Sequence, residues 1–437
     1  MSGITSKFGG TSLADAAAIR VAEEIILANP ERRYIVPSAP GKRNVGDRKI
    51  TDLLYAWYHI AQEGLDASEP QELIGERFLE LERELGIDFK VEQHLHEIAQ
   101  HATRHSTPDY MASRGEYLNG LLLAELLGAE FIDPAQCIRF NAAGDLDLLL
   151  TDELLGARLQ GEGLKVIPGF YGATADGKIK TFSRGGSDIT GSIVARAAKS
   201  PVYENWTDVS GFLMADPRIV SNPRRIETVT YQELRELSYM GATVLHDEAI
   251  YPVREPGIPI NIRNTRDPKN PGTFIVPQRT STHPVCGIAG RAGFSMINVE
   301  KAFMNKEHGF GLRVLSILHE HGIPWEHMPT GIDTISLIVR DEVLAGKGAK
   351  VVEEIRSSLK PDSVALVSGM AMIATVGVGM NHHIGIAARL CNAMAEARVN
   401  LRVIDQGSSE MNIIIGVDDR DLDKAVRAIY NAFETWT

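Results

Sequence analysis

Phe182-Ser183-Arg184-Gly185-Gly186-Ser187-Asp188, read beside Lys7-Phe8-Gly9-Gly10-Thr11-Ser12, is the pair of strings from which the rest of the chain is ordered. Each places a glycine pair next to a fixed positive charge, with hydroxyls close by and, in the later string, a carboxylate. Paired glycines leave backbone N–H groups uncovered and let an anion approach, while lysine and arginine supply charge. Two such loops about 175 residues apart read as two walls of one phosphate-handling cleft. Neither is a Walker loop, because no GxxxxGK[ST] string occurs in the sequence.

Outward from these loops, residues 1 to about 280 alternate short apolar runs with helical stretches. Tyr34–Val36, Phe131–Ile132, Lys165–Ile167 and Pro201–Tyr203 read as buried strands, and Ala14–Leu27, Thr51–Gln62, Arg114–Leu127 and Thr190–Ala198 as helices. That alternation predicts an α/β fold with a mostly parallel sheet covered by helices on both faces. Ligands of such sheets sit at the carboxyl ends of the strands, where helix N-termini favour anions.

A different pattern begins near residue 285. Shifting the sequence by 76 positions aligns Ile297–Val339 with Ile373–Ile415 without a gap, with identities such as Met304/Met380, Gly309/Gly385, Arg313/Arg389 and Gly331/Gly407. Each copy reads strand, glycine loop, amphipathic helix, strand, glycine turn, strand, which is a duplicated α+β unit of the ferredoxin-like kind. Pro277–Pro284 is the expected boundary.

The 437 residues exceed one compact core and carry a net charge of −12, which argues against nucleic acid or an anionic membrane as partner. Cys137, Cys286 and Cys391 are isolated and odd in number, so reduced core thiols are expected rather than a disulfide framework or a zinc site. The early position of Lys7 speaks against a cleavable signal peptide, and no apolar run approaches the roughly 18 residues of a membrane span. A cytoplasmic location is the expectation. His94/His96, His101/His105 and His382/His383 lack an HExxH string or a cysteine partner, and no metal site is assigned to them.

Read in order, KFGGTS at 7–12, SRGE at 113–116, SRGGSD at 183–188, WTDVSG at 206–211, ADPR at 215–218 and LSYMGATVLH at 237–246 resemble the monofunctional aspartate kinases over nearly the whole chain. The resemblance implies an amino-acid-kinase αβα sandwich over 1–280 and tandem ACT domains over 281–437. In that family the first ACT unit, here about 293–366, is inserted in the second, here about 285–292 plus 367–437. The implied reaction moves the γ-phosphoryl group of ATP, delivered with Mg²⁺, to the side-chain carboxylate of L-aspartate. Other readings of the same fold are a glutamate kinase or a non-catalytic amino-acid sensor.

The family motifs assign roles residue by residue. Lys7, with Gly9 and Gly10, is expected on the transferring phosphoryl group, the alternative being a strand-end lysine lying out to solvent. Asp188 either orients Lys7 or serves the Mg²⁺ shell, its structural alternative being a helix N-cap. Arg184 would grip the substrate α-carboxylate and Glu116 its ammonium, while Ser38, Thr51 and Ser187 hold the reacting carboxylate. The basic segment Pro40–Lys49 could close over the substrate. Thr207, Asp208 and Arg218 match ATP-binding positions, and Thr243 stands where the family often has a lysine. Paired ACT units imply a homodimer or a larger tetrameric assembly and a feedback effector, L-lysine before L-threonine, at Met304, Gly309, Phe310, Glu326, Thr330 and Asp333.

Overall fold

The computed structural model describes residues 3–103, 106–183, 185–242, 245, 247–281, 283–381 and 383–436. The chain divides into two compact units, one built from Met1–Phe212, Glu227–Tyr231 and Val244–Arg279, the other from Leu213–Ile226, Gln232–Thr243 and Thr280–Thr437.

The first unit carries strands β1 (Ile4–Phe8), β2 (Arg32–Pro37), β3 (Glu130–Phe131), β4 (Arg139–Phe140), β5 (Lys165–Val166), β6 (Tyr171–Thr174), β7 (Ile179–Thr181), β8 (Tyr203–Thr207), β9 (Thr228–Thr230), β10 (Ile260–Asn264) and β11 (Thr273–Val276). Eight of them form one sheet in the order β3-β5-β2-β1-β8-β10-β11-β9, and β4-β6-β7 form a small second sheet. In the large sheet every neighbouring pair is parallel except β10 with β11. Strands β1 and β8 therefore lie in its middle, with Lys7 in register with Asn205 and Phe8 with Trp206.

The eighth strand begins where the expected one, Pro201–Tyr203, ends. The displacement has a cause. Glu204 and Asn205 look unlike a buried strand, yet both are buried because partners await them. Glu204 accepts from Arg32 Nε at 2.7 Å and Nη2 at 3.1 Å, from Ser6 Oγ at 3.0 Å and from Trp206 Nε1 at 2.9 Å. The helix expected from Arg114 starts earlier, as Pro108–Leu127, because the Thr107 hydroxyl caps the Tyr110 amide and Pro108 suits a first helical position. Helices Ala16–Leu27, Ile50–Gln62 and Ser68–Leu85 join it around one apolar cluster that includes Phe8, Ile19, Ile35, Leu54, Trp57, Phe78 and Leu122.

The second unit holds β12 (Gly287–Glu300), β13 (Thr334–Arg340), β14 (Ser363–Val376), β15 (Val403–Asp405) and β16 (Asn412–Asp418), ordered β13-β12-β14-β16-β15. Strands β12 and β14 run 14 residues each and pair antiparallel along their length. Gly287–Ala292 therefore lie beside Ala371–Val376, while Phe294–Glu300 also pair with β13. Cores form accordingly: Ile297, Phe310, Val314, Leu337 and Ile355 in one, Val285, Ile288, Ile373, Leu390 and Ile429 in the other. From Gln232 on, helix Tyr231–Tyr239 belongs to this unit as well, Glu233 accepting from the Val378 amide at 2.7 Å and Glu236 from Asn412 Nδ2 at 2.7 Å. Among the described residues no helix is long and apolar enough to cross a membrane.

Candidate active site

The carboxyl end of β1 delivers Lys7, and the first turn of helix Gly186–Ala197 delivers Asp188. Lys7 Nζ stands 2.6 Å from Asp188 Oδ1, and Asn205 Nδ2 donates to the same oxygen at 2.8 Å. The Tyr203 hydroxyl donates to the Asp188 backbone carbonyl at 3.1 Å, fixing the turn that carries the carboxylate. Asp188 is not the N-cap of its helix. That place belongs to Gly185, whose φ of 73° is left-handed, so the aspartate side chain is free to meet Lys7. Lys7 likewise does not lie out in solvent, its side chain being only 9% exposed.

The glycine turn after β1 sits directly against the loop that begins at Gly41. The Gly9 amide donates to the Trp206 carbonyl at 3.0 Å, so its N–H already has an acceptor. Gly41 donates to the Gly10 carbonyl at 2.8 Å, and a Cβ on Gly41 would lie 2.5 Å from that oxygen. No larger residue fits there without moving one of the two backbones. Ser12 and Thr265 hydroxyls meet at 3.0 Å, and the Thr265 amide donates to the Thr207 carbonyl at 2.9 Å. The Thr207 hydroxyl donates to the exposed Asp208 at 3.3 Å.

Glu116, on helix Pro108–Leu127, is buried, and its Oε2 has no hydrogen-bond partner. Burial pushes its carboxyl up to about 8, against the pull of the Ala39 and Glu116 amides and of the Lys7 and Arg114 charges. A buried carboxyl with a strongly raised pKa and a vacant oxygen marks a candidate functional group. Arg114, two residues before it, is buried with its guanidinium 4.4 Å from the Tyr117 ring centre, 4.6 Å from Tyr110 and 5.4 Å from Tyr171. Ser38 is bound through its backbone, its amide to Phe8 and its carbonyl to Asn119 Nδ2 at 2.6 Å. Thr51 lies in the first turn of helix Ile50–Gln62, and Ser187 is buried at the start of helix Gly186–Ala197.

Lys7, Gly9, Gly10, Ser38, Thr51, Glu116, Ser187, Asp188, Thr207 and Asp208 all lie in the first unit. Arg218 lies in the second unit, exposed and forked onto Asp216, with Nη2 2.6 Å from Oδ2. Arg184, Thr243, His105 and His382 fall outside the described residues. Asn205 was not singled out from sequence; a polar residue inside the apolar run before WTDVSG was its only signal. Among the described residues no group of three or more His, Cys, Asp or Glu side chains is placed to hold a metal ion.

In the second unit Met304 and Phe310 are buried, and Gly309 caps helix Phe310–Glu320 with φ 74°. Asp333 Oδ1 accepts from the Phe303 amide at 2.9 Å, and Thr330 is exposed. The Glu326 side chain is 5% exposed, with Oε1 2.8 Å from Arg340 Nε and Oε2 without a partner.

Comparison with known proteins is consistent along the chain. Residues 4–264 match the amino acid kinase family, and residues 373–433 match an ACT domain. The sequence is 39% identical to aspartokinase 3 of Bacillus subtilis, covering 98% of both chains. The fold superposes on the crystal structure of Clostridium acetobutylicum aspartate kinase with a TM-score of 0.96 at 48% identity, over 98% of this chain and 100% of that one. Aspartokinase III of E. coli is similar at TM-score 0.74 in a complex with aspartate and ADP and 0.77 in one with lysine and aspartate. The identities are 26% and 27%, over 99% of this chain and 100% of the other in both cases.

Proposed function

The chain belongs to the aspartokinases of the amino acid kinase family, and on that premise we propose the substrates, residue roles and regulation that follow. It is an aspartate kinase; in this reading ATP, delivered with Mg²⁺, phosphorylates the side-chain carboxylate of L-aspartate to 4-phospho-L-aspartate. The observation that carries the reading is the Lys7–Asp188–Asn205 cluster, in the same unit as buried Glu116, whose carboxyl feels the Lys7 charge.

The acceptor carboxylate is ionised at neutral pH, so no general base is required. The obstacle is an anion approaching a polyanion, and catalysis rests on positioning and charge neutralisation. Lys7 bridges the oxygens of the transferring group while Asp188 and Asn205 hold its ammonium in place. Glu116 offers its vacant oxygen to the substrate ammonium, and Arg184 the fork for the α-carboxylate. Ser38, Thr51 and Ser187 orient the reacting carboxylate. Thr207 and Asp208 serve the nucleoside. Mg²⁺ bound with the nucleotide would supply charge neutralisation there.

Residues 1–280 form the catalytic domain in this reading and 281–437 the tandem ACT domains, through which the chain dimerises. The E. coli relative named lysine-sensitive aspartokinase 3, and its complex with lysine and aspartate, favour L-lysine as inhibitor here. The reaction is then the entry step to lysine, threonine and methionine synthesis. The test is ADP release from Mg·ATP with L-aspartate against L-glutamate, in wild type and Lys7→Ala. Turnover with aspartate alone, lost in the variant, is the expected result; a glutamate preference overturns the substrate.

A further inference from the structure

Loop 41–47, downstream of Ser38, buries no apolar side chain of its own. Residues 42–46 are exposed, Val45 at 99%, and a cavity of about 280 Å³ lined by Arg43, Asp47, Leu73, Arg77 and Glu80 lies between the loop and helix Ser68–Leu85. Burial of side chains therefore cannot set its position. One buried side chain does reach it. Arg77, 4% exposed, donates from Nη2 to the Gly41 carbonyl at 2.6 Å and to the Ala14 carbonyl at 2.8 Å, and from Nη1 to Asp47 Oδ2 at 2.6 Å. Gly41 in turn donates to Gly10 in the glycine turn. Asp47 closes the far end by accepting from the Arg43 amide at 3.0 Å and its Nε at 3.1 Å.

We infer that Arg77 is a positioning residue of the kinase: its guanidinium clasps both ends of loop 41–47 and sets it against the Gly10 turn, and so spaces Ser38 and Thr51 from Lys7. The inference rests on the reading of Gly10, Ser38 and Thr51 as substrate contacts. Three acceptors, at Ala14 and at both ends of loop 41–47, need a planar fork, which lysine does not offer. Burial by itself would push the Asp47 carboxyl up, but its bonds from Arg43 and the Arg77 charge hold it down at about 2, so the clasp stays charged across the working pH range.

The test compares Arg77→Lys, Asp47→Asn and, as a control on the same helix, Leu81→Ala, a buried apolar residue that does not line the cavity beside the loop. A misplacement of about 1 Å can cost about 10²-fold in rate. We expect Arg77→Lys to lose about that factor in kcat/KM for aspartate, with both a raised KM and a lowered kcat, and Asp47→Asn a smaller loss in the same direction. Trypsin should cut after Lys42, Arg43, Arg48 or Lys49 faster in both variants than in wild type. This second readout needs no turnover, so a failure of the kinase reading leaves it intact. Kinetics and cleavage of Arg77→Lys within twofold of wild type would overturn the inference. So would an equal kinetic loss in Leu81→Ala at the same drop in Tm, since the role would then be stability alone.

Discussion

Lys7 Nζ and Asp188 Oδ1 form an ion pair at 2.6 Å, with side chains 9% and 17% exposed, between the first strand and a helix that begins at Gly186. Partial burial strengthens the pair relative to one in water, and the Asn205 amide at 2.8 Å from the same oxygen fixes its geometry. The ammonium is therefore placed before any substrate arrives. Such pre-placed charge is what phosphoryl transfer asks of a protein.

Removing the charge and removing its orientation should separate kinetically. Lys7→Ala is expected to lower kcat by about 10²- to 10³-fold, the range for losing one preorganised group at a developing charge. Asp188→Asn keeps the shape but not the charge, and should cost kcat less than Lys7→Ala does. Steady-state ADP release on both variants, with circular dichroism to confirm folding, checks the order; the reverse order would move Asp188 from an orienting role to the dominant one.

With Glu116 in its proposed place on the substrate ammonium, aspartate binding becomes pH-dependent. The Glu116 carboxyl is raised from 4.5 to about 8 mainly by burial, so the ligand-free site holds a proton that must leave before a substrate ammonium is bound. Measured kcat/KM for aspartate should climb with pH, about tenfold per unit at the steepest, and level off above about 8. Stability has the opposite sign. Between the unfolded value near 4.5 and the folded value near 8 the native state binds the extra proton, so stability falls as pH rises through that window. Glu116→Gln removes the penalty. It should raise Tm over wild type at pH about 8, leave it unchanged at pH about 4.5, and weaken aspartate binding most above pH about 8, where wild-type Glu116 is ionised.

The two glycine-rich strings, the parallel sheet and the 76-residue repeat were all readable because each follows from local chemistry: uncovered amides, apolar alternation and self-similarity. What the sequence hid was long-range. Asn205 and Glu204 break the apolar signal of their strand, and only their partners, Asp188 for the one and Arg32 for the other, make a buried strand of them. Arg77 is one charged residue among many on an amphipathic helix, and nothing local marks it as the holder of Gly41 and Asp47. Asp188 carried three readings, partner of Lys7, Mg²⁺ shell or cap, and the backbone at Gly185 removes the last.

The buried network under the central strands predicts an asymmetric mutational response. Arg32 pairs with Glu204, and Arg263 reaches the same carboxylate at 3.4 Å while lying 4.5 Å from the Trp206 ring centre. Glu204→Gln leaves two guanidinium groups without a counter-charge, and should cost about 3–5 kcal/mol in urea unfolding. In wild type, burial alone would push the Glu204 carboxyl up, but the Arg32 bonds outweigh it and hold the group below its usual range. Its stabilisation is thus present above the unfolded value of about 4.5 and lost as pH falls through the lower folded value. Unfolding curves that run parallel for wild type and Glu204→Gln across that acid range would refute the assignment.

Lysine inhibition, if it acts through Glu326, must contend with Arg340. The guanidinium Nε lies 2.8 Å from Glu326 Oε1 without the alignment of a hydrogen bond, and the same group sits 5.1 Å from the Tyr239 ring centre. The other carboxylate oxygen is buried and unpartnered, which leaves one position for a ligand ammonium. A charged hydrogen bond contributes about 1.5–3 kcal/mol, or roughly ten- to a hundredfold in affinity. Glu326→Gln should therefore raise the L-lysine concentration for half-inhibition by at least about tenfold. Arg340→Met, which removes the competing cation, should lower it. L-Threonine titrations run in parallel should respond to neither change, because a neutral side chain does not need the carboxylate. Equal lysine sensitivity in wild type and Glu326→Gln would place the effector elsewhere.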